Sequence, residues 1–194
     1  MPKRKLMRIA GIDYSMTSPA ICYYVAGDIN SVESYNIRYL TPKAKDIKII
    51  DNLSYGKLEG IVNPVIECQQ ERYEFIADKF VEFIEEYQIN TIYLEDYSFG
   101  SHGKVFHIAE NAGLLKYKLY KKGVEVNLVP PTVAKKFASG KGNANKNLMY
   151  ESFVHQTGKT FNLEGSKNIG NPYSDIVDSY WLCRYGINDK QINK

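Results

Sequence analysis

Apolar residues fall in short runs over the first forty positions of the chain, and a helical period takes over further on. Residues 8–13 (Arg8-Ile9-Ala10-Gly11-Ile12-Asp13) are a brief apolar run ending in a carboxylate and read as a strand. Residues 21–25 and 31–40 are predicted to be the next two strands, with Gly27-Asp28 as the hairpin turn between them. Phe75, Ile76, Phe80, Val81, Ile84 and Tyr87 then recur at helical spacing and make one apolar stripe. Residues 91–95 are a fourth strand, again ending in a carboxylate. Val105, Ile108, Ala112, Leu115 and Leu119 mark a helix stopped at Gly123. Residues 124–129 form a fifth strand, and Pro130-Pro131 opens a short helix. Residues 145–155 are predicted helical, as are 175–185, with Gly186 as the stop.

Three strands in succession suit an antiparallel meander, and the later β-α-β order adds parallel strands by right-handed crossovers. The expected architecture is α/β, a mixed five-stranded sheet flanked by helices. Three segments show neither period: residues 41–70, 139–144 and 156–171. The first is long and mixed, and is read as an insertion, with partial structure, in a single domain spanning 1–194.

A chain of 194 residues, 44% of them hydrophobic, can bury a substantial core, which excludes wholesale disorder. Cys22, Cys68 and Cys183 are scattered, form no CxxC pair and have no zinc-ligand spacing with His102, His107 or His155. The basic start at Lys3-Arg4-Lys5 is followed by too short an apolar stretch for a signal peptide. No segment approaches the roughly 18 apolar residues of a membrane span. These features point to a cytoplasmic protein. The net charge of +3 says little, but its distribution says more. Lys116, Lys118, Lys121, Lys122, Lys135, Lys136, Lys141 and Lys146 stand against the single acid Glu125, whereas 71–86 is acidic. The basic stretch favours a polyanionic partner; the bland alternative is a solvated lysine face.

The acids carry the chemistry. Asp13 and Glu95 end two strands which, if parallel neighbours, bring both side chains to one sheet edge, where open α/β sheets usually place their sites. Asp175 and Asp178 are three apart in Ser-Asp-Ile-Val-Asp-Ser, so a helix presents both on one face. Taken singly, such acids are commonly turn, cap or helix-dipole residues. Together, four convergent carboxylates repel one another unless cations hold them. Oxygen-only ligands favour Mg²⁺, with Mn²⁺ able to substitute. Two such ions about 3.5–4 Å apart suit phosphodiester hydrolysis. Asp96 adjoins the site, and strand alternation is expected to point it away from Glu95.

The run Ile9-Ala10-Gly11-Ile12-Asp13-Tyr14-Ser15-Met16-Thr17-Ser18 resembles the first strand and turn of RuvC-type Holliday-junction resolvases. Ile92-Tyr93-Leu94-Glu95 resembles their second acidic strand. Residues 104–119, with Ala109-Glu110-Asn111-Ala112-Gly113, resemble the helix after it, and Ser174-Asp175-Ile176-Val177-Asp178-Ser179 resembles their last acidic helix. The likeness covers most of the chain outside residues 41–70 and is nearest the divergent phage-encoded branch. It implies a ribonuclease H-like fold, a metal quartet of Asp13, Glu95, Asp175 and Asp178 binding two ions, and location in a bacterial or phage-infected host cell. It also implies a basic pair facing the phosphate. Lys135 and Lys146 match that spacing, with Lys146 the more catalytic of the two.

The same resemblance implies a homodimer built on the helix of residues 104–121 and, for DNA contact, Ser15, Thr17, Lys104, Lys135, Lys136 and Lys141. The family's aromatic wedge after the second acid is not matched in register: here Tyr97, Ser98 and Phe99 follow, and either ring could stack on an unpaired base. The expected activity is a structure-selective endonuclease resolving four-way junctions or other branched DNA. The alternatives are a less selective nuclease acting on flaps, single strands or RNA–DNA hybrids, and a non-catalytic DNA-binding protein on the same frame. The intact quartet speaks against the last.

Overall fold

The computed structural model describes residues 8–25, 27–50, 57–96, 105–161, 163 and 168–192. Six strands form one sheet: β1 (Ile9–Asp13), β2 (Ala20–Tyr24), β3 (Tyr35–Thr41), β4 (Lys57–Val62), β5 (Thr91–Glu95) and β6 (Glu125–Val129). Six α-helices accompany it: α1 (Ala44–Ile50), α2 (Gln69–Glu86), α3 (Val105–Lys121), α4 (Pro131–Ser139), α5 (Lys146–Thr157) and α6 (Tyr173–Ile192). The strand order is β4-β3-β2-β1-β5-β6. Only β2 runs against the others: β1–β2 and β2–β3 are antiparallel, while β1–β5, β5–β6 and β3–β4 are parallel.

The expected five strands are thus six. The extra strand, β4, lies inside the insertion and extends the sheet beyond β3. Leu58 packs on one face and Ile61 on the other, with Gly60 between them where a side chain would collide with the Tyr39 ring. Arg38 of β3 fastens this edge. Its buried guanidinium pairs with Glu59 of β4 at 2.7 Å and with Glu86 of α2 at 2.5 Å. It also lies over the rings of Phe83 and Tyr87. The predicted strand over 31–40 is shorter, a 3₁₀ turn at Val32–Ser34 coming before β3.

Strand alternation divides the core in two. Ile9, Cys22, Ile37, Tyr39 and Tyr93 face a layer containing Met149, Phe153, Ile176, Tyr180 and Leu182 from α5 and α6. Ala10, Ile12, Ile21, Ile92 and Leu94 face Ile76, Phe80, Ile84, Leu115 and Leu119 from α2 and α3. α6 lies across β1, β2 and β5. Its backbone approaches β1 so closely that a methyl group on Gly11 would run into Ser179, Leu182 and Cys183. α6 does not stop at Gly186. That residue is interior to the helix, and its missing side chain makes room for the Tyr93 ring. No helix among the described residues is long and apolar enough to cross a membrane.

The acidic and basic tracts of the sequence meet each other. Lys118 of α3 pairs with Glu74 and Asp78 of α2, and Lys122 pairs with Glu85. Part of the basic stretch therefore neutralises a neighbouring helix.

Candidate active site

β1 and β5 are parallel neighbours, so their last residues, Asp13 and Glu95, emerge at the same edge of the sheet. Both share the strand parity of Ile9 and Tyr93, which face the α6 layer. α6 brings Asp175 and Asp178 one turn apart to that edge. All four acids are close enough to raise one another's proton affinity.

Asp13 is 9% exposed and Asp175 only 3%. Burial pushes the Asp13 carboxyl well above its ordinary range, and Asp175, Glu95 and Asp178 push it further. Burial, then Glu95 and Asp175, push Asp178 up to about 8. Glu95 is raised by burial against the opposing pull of Lys135. Asp175 is raised by burial although hydrogen bonds from Ser18 and Ser15 oppose it. Lys146 lowers all four, and Lys135 lowers Glu95 and Asp178.

Asp175 is the most firmly held. Its Oδ2 accepts from the Ser15 hydroxyl at 3.0 Å, from Asn171 Nδ2 at 2.9 Å and from the Ser18 hydroxyl. Ser174 Oγ stands 3.2 Å from its Oδ1. The Asn171 amide also donates to Ser18 Oγ at 2.9 Å, closing the ring of contacts. Ser18, Asn171 and Ser174 were not singled out from sequence. Small polar residues in loops cap turns so often that only the proximity of Ser174 to the acidic pair was a signal.

Lys146 opens α5, behind the N-cap Asn145, whose side chain accepts from Leu148 N. Its ammonium donates to Asn171 Oδ1 at 2.9 Å and Ser174 Oγ at 3.0 Å. The residues that position Asp175 thus position the cation too. Lys135, on α4, lines the same cleft as Asp13 and Glu95. That cleft has a volume of about 740 Å³ and is also lined by Ser15, Thr17, Gln69, Arg72, Asp96 and His107. Asp96, expected to turn away from Glu95, is a third acid of the cleft wall. Thr17 is exposed there, and its carbonyl accepts from Asn63 Nδ2 at 3.2 Å. Lys136 and Lys141 are exposed on α4 and the loop after it, and neither lines the cleft. Tyr97, Ser98, Phe99 and Lys104 lie outside the described residues.

Among the described residues, no three acid, histidine or cysteine side chains already stand as a ligand cluster. Asp175 is turned to its hydroxyl and amide donors. What exists is an electrostatic cluster: four carboxylates, Asp13 and Asp175 buried and Glu95 and Asp178 half-buried, mutually repelling, with Lys146 and Lys135 as opposing cations. Its donors are oxygen alone, which fits a hard divalent cation.

No known family model matches the chain, and no curated protein matches it. Solved structures do share its fold. Thermus thermophilus RuvC matches with a TM-score of 0.62 and 16% identity, covering 96% of this chain and 97% of that one. T. thermophilus RuvC in complex with a Holliday junction substrate matches with a TM-score of 0.65 and 14% identity, covering 96% of each chain. The fold is therefore the RuvC-type, ribonuclease H-like one.

Proposed function

We propose that this chain, which has the fold of the RuvC resolvases, is a metal-dependent endonuclease that cuts four-way junctions and related branched DNA as a homodimer. The observation that carries the reading is the electrostatic clustering of Asp13, Glu95, Asp175 and Asp178, from three separate parts of the chain, with Asp13 and Glu95 opening into the cleft. Carboxylates raised this far by burial and by one another are a poor resting state for a protein and a good seat for Mg²⁺ or Mn²⁺. The four acids would hold two ions. When bound, these would supply a water made nucleophilic near neutral pH and charge stabilisation for the leaving oxygen.

The chain's own groups prepare the rest. Ser15, Ser18 and Asn171 fix the Oδ2 atom of Asp175, so that one ligand is oriented before any ion arrives. Lys146, anchored on Asn171 and Ser174, is placed to offset charge developing on the scissile phosphate. Lys135 sits beside Glu95 on the cleft wall and offers a second anchor for the DNA backbone.

The dimer rests on α3. Phe106, Tyr117 and Tyr120 are 75%, 62% and 76% exposed. Their spacing sets them in one stripe, with Gly113, beside which space is open, in the same line. An exposed apolar stripe on one helix suits a two-fold interface. Two copies so related would put one site on each of two strands of a pseudo-symmetric junction.

The test compares a four-way junction with a flap, an RNA–DNA hybrid and a plain duplex, each with Mg²⁺ and with chelator. Symmetric, metal-dependent nicking of the junction is expected. Equal cutting of all four substrates would replace junction selectivity with the less selective nuclease reading, and no cutting at all would remove both.

A further inference from the structure

The cleft reaches beyond the acids. Gln69 and Arg72, from the first turn of α2, and His107, from the first turn of α3, complete its lining. Other described arginines have protein partners. Arg8 donates to the Tyr87 carbonyl, Arg38 is gripped by Glu59 and Glu86, and Arg184 donates to the Ile29 carbonyl and to Asn30. Arg72 differs. Among the described residues its side chain makes no ion pair, and its Nε is buried without a hydrogen-bond partner. A withdrawn guanidinium N–H with no acceptor is costly unless a ligand supplies one.

Its neighbours in the cleft are polar and tied to one another. Gln69 Nε2 lies 2.7 Å from His107 Nδ1 and donates to the Tyr73 hydroxyl. Glu110 lies 3.5 Å from the same Nδ1.

A planar guanidinium fork matches two oxygens of a phosphate or carboxylate. A free small anion is a poor occupant here, because Asp13, Glu95 and Asp96 line the same cleft and repel it. An anion covalently tied to a group that the acidic end itself receives escapes this objection. A nucleic-acid strand, with phosphates in series, is such a ligand. A cleft of about 740 Å³ is also larger than one phosphate needs.

We infer that Arg72, supported by Gln69 and His107, forms a subsite for a second, uncut phosphate of the strand being cleaved. The inference rests on the nuclease reading above and deepens it. Two anchors in one cleft fix the direction of the strand across the acids, which a single phosphate contact leaves open.

The test uses the full chain carrying Asp178→Asn, so that a bound four-way junction stays intact, with and without Arg72→Gln. Each phosphate near the cut is replaced in turn by an uncharged methylphosphonate. Arg72→Gln is expected to weaken binding on the order of tenfold and to make log affinity against log salt shallower by about 0.9, the value of one lost phosphate contact. One flanking substitution that weakens binding by the parent should have no effect on the Arg72→Gln protein. Arg72→Lys keeps the charge but not the fork, so it should retain the salt slope at intermediate affinity. It decides the matter if Arg72→Gln does not fold. Full affinity in Arg72→Lys, or an unchanged slope and phosphate profile in Arg72→Gln, overturns the subsite. If the wild type cuts junctions in that case, the nuclease reading stands without it. If the wild type neither binds nor cuts nucleic acid, both fall.

Discussion

Asp178 gives the sharpest test of the electrostatics, because its proton affinity is a statement about stability as well as chemistry. Its carboxyl ionises near pH 3.8 in an unfolded chain and at about 8 in the fold. Between those values the native state binds the extra proton, so stability falls as pH rises through the window and is fully present only below it. At about 1.4 kcal/mol per pH unit, the metal-free protein loses roughly 5 kcal/mol by pH 8 relative to pH 4 from this group alone. Water entering the cleft mouth screens part of that, leaving about 2–5 kcal/mol. Asp178→Asn is neutral at every pH and escapes the loss. In chelator, the variant and the wild type should melt at similar temperatures at or below about pH 4. The variant should then lead by a margin that widens to roughly 4–20 °C at pH 8. Saturating Mg²⁺ should raise the wild type at pH 8 and narrow the margin. Thermal melts at four pH values decide it. A constant margin, or a wild type that melts higher than the variant at pH 8 without metal, refutes the clustered-carboxylate account.

The remaining expectations concern function and assembly. Asp178→Asn should abolish junction cleavage yet retain junction binding, read by gel shift beside a cleavage assay. Lys146→Met should lower the single-turnover cleavage rate by about 10²–10³-fold at saturating Mg²⁺. Because Lys146 pulls all four acids down, its loss should also move the rising limb of the pH–rate profile to higher pH. Tyr117→Glu combined with Tyr120→Glu should convert a dimer to monomers in sedimentation without lowering the melting temperature by more than about 1 kcal/mol equivalent, both rings being exposed. Junction affinity should fall steeply as salt rises.

The two strand acids were legible because each closes an apolar run, and the parallel pairing of β1 and β5 does the rest. The Asp-x-x-Asp pair was legible from helix periodicity. The hold on Asp175 was not, since Ser18 and Asn171 reach it from loops 157 and 4 residues away along the chain, and no local pattern encodes that meeting. β4 escaped notice because Leu58 and Ile61 are its only large aliphatic side chains before Val62, too few to show alternation, and its place depends on the long-range grip of Arg38. Gly186 misled for a related reason. Glycine ends helices when it supplies a left-handed residue, but here it gives space to Tyr93, a partner remote in sequence. The charge tracts show in the sequence, while the pairing of Lys118 and Lys122 with acids of the neighbouring helix needed the α2–α3 packing.

The bare backbone of Gly11 lets α6 sit directly on β1, and α6 carries half of the acids. The gap between strand-borne and helix-borne oxygens is therefore set at a residue with no side chain to contribute. Thickening that contact by a single carbon would lift Asp175 and Asp178 together from Asp13 and Glu95. A search for inactive variants should consequently return this position alongside the carboxylates, although it offers nothing to a substrate or an ion.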